Sequence, residues 1–225
     1  MRVVLQYVGW FIGLPLELLI IAALIRGPYR RFPVVLAYSV VLFLTTVIEV
    51  SVYHIGTSGI LSGHTWARYY WYDEGARQVL LFAAVISLIY HASSGSQSRP
   101  RLALMLTAGS ILFAGATFMI HHGGHARVGE WMTLWIRDLA FCAAILDLGL
   151  WLLLLATRRT ESRLLLLSGG LGIQFTGEAL GESLRNLFPL ELSPGDVVSL
   201  LAGLAALWIW WHALRPVSVP ETARS

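Results

Sequence analysis

The feature that most constrains this chain is the length of its apolar runs. Val3 to Ile25 is apolar apart from Gln6 and Glu17, and that is long enough for a helix to cross the ~30 Å hydrocarbon layer of a bilayer. Six more runs follow, at residues 33–53, 69–90, 102–120, 131–156, 164–187 and 197–214. A backbone in hydrocarbon has no water to bond with, so each run must satisfy its own N–H and C=O groups as a helix. The expected fold is therefore all-α: a single domain over residues 1–225 with seven transmembrane helices. Composition agrees. Charged residues make up 13% of the chain and hydrophobic ones 56%, whereas a soluble domain carries roughly 25% charged. The first run is too long for a signal-peptide core and is read as retained.

Arginine sets the expected orientation, because basic residues concentrate in cytoplasmic loops. Lysine is absent, so all 16 basic residues are Arg. Arg26, Arg30, Arg31, Arg99, Arg101, Arg158, Arg159, Arg163, Arg215 and Arg224 fall on one side, against Arg2, Arg68 and Arg127 on the other. The expected N-terminus is outside and the C-terminus cytoplasmic. The longest expected connection covers residues 54–68, which leaves no room for a soluble domain; function is expected within the membrane or at its faces. No long basic face exists for nucleic acid. The single Cys142 excludes an intrachain disulfide and lacks any evident activating partner.

Ionisable groups at membrane depth are expensive and tend to face the bundle interior, where they mark function. Here they crowd toward the outer half: Glu49 in the second run, Asp73, Glu74 and Arg77 in the third, Arg137 and Asp138 in the fifth, and Glu178, Glu182 and Arg185 in the sixth. Six carboxylates thus accompany three arginines. Asp73/Arg77 and Glu178/Glu182 are four apart on shared helix faces, yet some acid is left to be protonated, solvated or paired with a ligand. Glu17 and Asp147 lie nearer mid-depth. This pattern points to a ligand-binding cavity open to the outside; the competing reading is that these groups only tie helices together.

Histidine repeats the asymmetry. His54, His64, His121, His122 and His125 are expected at the outer face, and His91 and His212 at the inner one. Imidazoles beside surplus carboxylates are the donor set that holds zinc or copper, with His121, His122, His125 and His54 as the candidates. Gly123 and Gly124 interrupt the run, so His121 and His125 need not share a face. Gly177 and Gly181 form a small-xxx-small pair that lets a neighbouring helix approach. Pro15 frees the carbonyl of Phe11 and is a candidate kink just before Glu17. Tyr69 to Tyr72, and the closing Trp208, Trp210 and Trp211, are expected as interfacial aromatic belts.

Trp66-Ala67-Arg68-Tyr69, with Trp71 and Asp73 beyond, resembles the third helix of microbial rhodopsins. That family holds retinal as a Schiff base on a lysine of its seventh helix, so a chain without lysine excludes covalent retinal. Over most of its length the chain is similar to a family of bacterial seven-helix membrane proteins with no assigned activity. The likeness rests on Leu16-Glu17-Leu18-Leu19, Arg30-Arg31-Phe32-Pro33 with Tyr38, Tyr70-Trp71 leading to Glu74, and the closing Trp208 to Leu214. It implies residence in the bacterial cytoplasmic membrane and carries no site residues. A faint internal echo relates the first two runs to the fifth and sixth at an offset near 132, the three-plus-one-plus-three plan of some carriers.

Three functions are open on these grounds. The first is a binding or sensing module with an acidic, His-rimmed pocket, or a subunit of a larger membrane complex. Since it lacks an output domain, it needs a membrane or cytoplasmic protein partner besides the lipid bilayer. The second is a metal-dependent membrane hydrolase, resembling in outline the seven-helix ceramidase-like enzymes. The third is a small proton- or cation-coupled carrier. The binding module asks least of the residues, and catalysis is not the leading expectation.

Overall fold

Helix is the answer the chain gives wherever its apolar runs occur. A computed structural model describes residues 2–27, 30–56, 63–93, 99–122, 128–156, 162–187 and 194–215. The described residues form seven α-helices and no strand: α1 (Arg2–Arg26), α2 (Pro33–Gly56), α3 (Gly63–Ala92), α4 (Arg99–His122), α5 (Val128–Ala156), α6 (Ser162–Leu187) and α7 (Pro194–Leu214). Six of them, all but α6, are long and apolar enough to cross a membrane. The polar and glycine-rich stretch that ends α6 lowers its hydropathy without breaking its helix. Helix α3 starts at Gly63 rather than Tyr69, because aromatic and His residues weaken an apolar signal while remaining compatible with helix. Pro15 lies inside α1, and the helix runs through it without interruption.

The helices touch in the cyclic order α1–α2–α3–α5–α6–α7, with α7 returning to α1. Helix α3 also meets α6 across this ring, and α4 stands outside it against α5 and α3. The α3–α6 contact leaves α1, α2, α3, α6 and α7 enclosing a space from which α5 is excluded.

Apolar packing fills the end of the bundle where α1 gives way to α2. Ile20, Leu24, Val35, Leu88, Leu150 and Leu167 are fully buried there, within a cluster drawn from α1, α2, α3, α5, α6 and α7. Trp210 belongs to this core. It is 1% exposed, and its indole N–H donates to the carbonyl of Leu167 at 3.0 Å. This corrects the expectation of an interfacial belt for all three closing tryptophans: Trp208 is exposed, Trp211 half-buried and Trp210 interior. Gly170 makes the slot, since a β-carbon there would collide with the Trp210 ring.

The expected glycine seam is real. A β-carbon on Gly177 would overlap that of Ala202, and one on Gly181 would overlap the hydroxyl of Ser199. Helices α6 and α7 therefore meet almost backbone to backbone, the close approach that small residues permit. Helix α4 has the opposite character, with Leu104, Met105, Ile111, Leu112, Met119 and Ile120 all exposed. It is held to α5 by few but specific contacts. The indole of Trp135 donates to the Ala114 carbonyl at 3.1 Å, and Phe118 packs edge-on against Trp131 and Trp135.

Candidate functional site

At the end of the bundle opposite the apolar core, the enclosed space opens into a cavity of about 410 Å³. Its walls come from Gln6, Trp10 and Glu17 of α1, Tyr38, Thr46 and Glu49 of α2, and Arg77 of α3, with Glu17 and Tyr38 at its deep end beside the apolar core. Gln174 and Glu178 of α6 and Asp196, Ser199 and Gly203 of α7 complete them. Glycine creates the room. A β-carbon on Gly203 would meet nothing within 4 Å, while one on Gly9 would sit 3.0 Å from Leu200. Leu5, Leu42, Leu200, Leu204 and Leu207 share the lining, while Phe11, Leu18 and Leu44 on the same helices face outward.

Arg77 is the electrostatic centre. Its Nε lies 3.3 Å from the Asp73 carboxylate, one turn back, and its terminal nitrogen donates to Glu74. Both spacings place the partners on one helix face. Glu49 and Glu17, from α2 and α1, also lie within its electrostatic reach. Gln6 and Trp10 hydrogen-bond Glu49. The hydroxyl of Thr46 donates to Oε1 of Glu17 at 3.3 Å. Oε2 of Glu17, in a residue 4% exposed, accepts no hydrogen bond among the described residues. On the far wall the Gln174 amide donates to Glu178 at 3.1 Å and to the Tyr38 hydroxyl at 3.2 Å.

Of the site residues expected from sequence, Glu49, Arg77 and Glu178 line this cavity, with Asp73 and Glu74 attached through Arg77. Arg137 and Asp138 stand apart on α5. Arg137 is exposed and bonds Asp138 at 3.3 Å, and Asp138 holds Nε2 of His121 on α4 at 2.8 Å. The side chains of Glu182 and Arg185 lie outside the described residues.

The described histidines of the outer end, His121 and His122, have separate partners. His121 is taken by Asp138, and His122 stacks on Phe118 at 5.4 Å between ring centres. His125 and the side chains of His54 and His64 lie outside the described residues. Among the described residues no three His, Cys, Asp or Glu side chains are placed to share a metal ion, and none of the cavity-lining residues is His. At the opposite end, Nδ1 of His91 pairs with the Ser87 carbonyl at 2.8 Å, and His212 lies 3.4 Å from Arg215.

Several lining residues were not singled out from the sequence. Glu17 carried the clearest signal, as the lone carboxylate of an apolar run. Trp10, Tyr38, Thr46 and Gln174 looked like ordinary residues of a membrane helix, and only the assembly of five helices gives them a common centre. Asp147, at mid-depth, is not part of the cavity. It is 3% exposed and accepts a 2.6 Å hydrogen bond from the Ser168 hydroxyl, joining α5 to α6.

Comparison with protein-family models, with curated proteins and with solved structures found no match.

Proposed function

We propose that this chain is a membrane-embedded binding module, whose acidic cavity opens to the extracytoplasmic side of a bacterial cytoplasmic membrane. The arginine distribution supports that orientation. One observation carries the reading: polar and ionisable groups from five helices converge on one water-sized-to-ligand-sized space, while the opposite end of the bundle is packed with apolar side chains. A space of about 410 Å³ falls in the range of small-molecule sites. In this reading a protein partner at the cytoplasmic loops senses occupancy of the cavity.

Filling the cavity tests this. Gly203→Leu places a side chain in open space, so the fold should survive. In a thermal-shift panel of amines, carboxylates, sugars and nucleosides, compounds that stabilise the parent protein should lose their effect on the variant. Equal stabilisation of both proteins would place binding elsewhere and overturn the reading.

A second reading, a cation-coupled carrier, draws on the ring. Exchanging α1, α2 and α3 for α5, α6 and α7 maps every neighbouring pair of the cycle onto another, with α4 as the outlier. That is the adjacency expected of two three-helix repeats. Two contacts cross the ring: α3 meets α6, and α2 meets α7 through the edge-on rings of Tyr38 and Trp210, 5.6 Å apart. The cavity is lined by α1 and not by its counterpart α5, so it is not a symmetric interface between two repeats, which favours binding over transport.

A further inference from the structure

We propose that the cavity takes a small organic cation, an amine or quaternary ammonium compound; the inference rests on the binding reading above and names its ligand class. Charge comes first. Arg77 is coupled to four carboxylates, those of Glu17, Glu49, Asp73 and Glu74, and two of these already hold it from its own helix. Four acids stand around one arginine, so the cavity offers a cation more partners than an anion.

Glu17 shows where the cation sits. Its side chain lines the cavity, is buried to all but 4%, and presents an oxygen with no hydrogen-bond partner among the described residues; the other such atom on the lining, Nε of Arg77, already lies 3.3 Å from the Asp73 carboxylate. A buried acceptor left unbonded is costly, and an N–H donor or a positive charge in the space beside it removes that cost. Trp10 and Tyr38 supply aromatic walls to the same space, and aromatic rings attract ammonium groups. Size argues for an organic cation over a bare ion. The cavity holds about 410 Å³, an order of magnitude above the ~30 Å³ of one water molecule, and a metal ion would leave most of it empty.

The test uses full-length protein in lipid nanodiscs, in amine-free potassium phosphate buffer. Choline and 1,4-diaminobutane are titrated by calorimetry, with acetate and glucose as anionic and neutral probes. At least one organic cation should bind saturably at up to millimolar concentrations. Glu17→Gln should weaken that binding about tenfold or more, the loss of a charge-assisted contact, with a melting temperature equal to or above the parent's. Should Glu17→Gln fail to fold, Glu49→Gln gives the same readout from the adjacent helix. Saturable binding of acetate or glucose, without either cation and abolished by Gly203→Leu, overturns the cation class and keeps the binding reading. No binding by any probe overturns the cation class, and the filled-cavity comparison decides separately on the cavity. Organic-cation binding unchanged in both acid variants also overturns it.

Discussion

Arg77 illustrates how single residues set the character of this bundle. Its half-buried guanidinium is neutralised on its own helix and stands beside acids from two others. Removing one member of such a cluster costs more than the pair contributes, because the remaining charges are left unanswered in a low-dielectric site. Arg77→Gln should therefore lower stability by about 1–3 kcal/mol, measured by reversible denaturation in mixed micelles, and Asp73→Asn on top should restore part of it. Equal losses in the single and double variants would show that Asp73 does not depend on Arg77. Trp210 is a second case. Trp210→Phe keeps most of the ring but loses the bond to the Leu167 carbonyl, and a loss of about 1 kcal/mol is expected. Sequence alone assigned this tryptophan to an interface. A run of three closing aromatics looks the same whether one of them turns inward or not, and only the missing β-carbon at Gly170 on another helix decides it.

Between helices, close approach and loose attachment coexist. The α6–α7 seam has no room at Gly177 or Gly181, so Gly177→Val should cost at least the 1–3 kcal/mol typical of overpacking. Gly203→Val, on the cavity side of α7, should cost little by the same assay. Helix α4 depends on the aromatic cluster with α5 and on the His121–Asp138 pair. His121→Ala should raise hydrogen exchange in α4 while leaving α6 and α7 protected; uniform change across all helices would contradict that separation. The helices were legible because apolar length is a strong signal that no tertiary contact overrides in lipid. The glycine seam was legible too, since spacing at i and i+4 has few other uses. The start of α3 was not, because Gly63 to Trp71 holds polar and aromatic residues whose hydropathy does not mark a helix end.

For the whole molecule, the uneven distribution of polar groups along the bundle is the organising fact. Depth along each helix could be counted from sequence, so a polar half and an apolar half were visible, and Glu49, Arg77 and Glu178 followed. Rotation about each helix axis could not be counted. That is why Arg137 and Asp138 fell outside the cavity, and why Glu17, noted for its depth, and Trp10 and Tyr38 were not expected to line it. The central claim is that the cavity is water-filled and reached from outside. Gly203 lies mid-way along α7 with open space before it, and Cys142 is the only native thiol. Replacing Cys142 by Ala and Gly203 by Cys creates one reporter, to be treated in intact spheroplasts with membrane-impermeant methanethiosulfonates. Rapid labelling from outside, faster with a cationic reagent than with an anionic one, is the predicted result. Labelling only after the membrane is permeabilised, or only after the protein is denatured, would contradict the account.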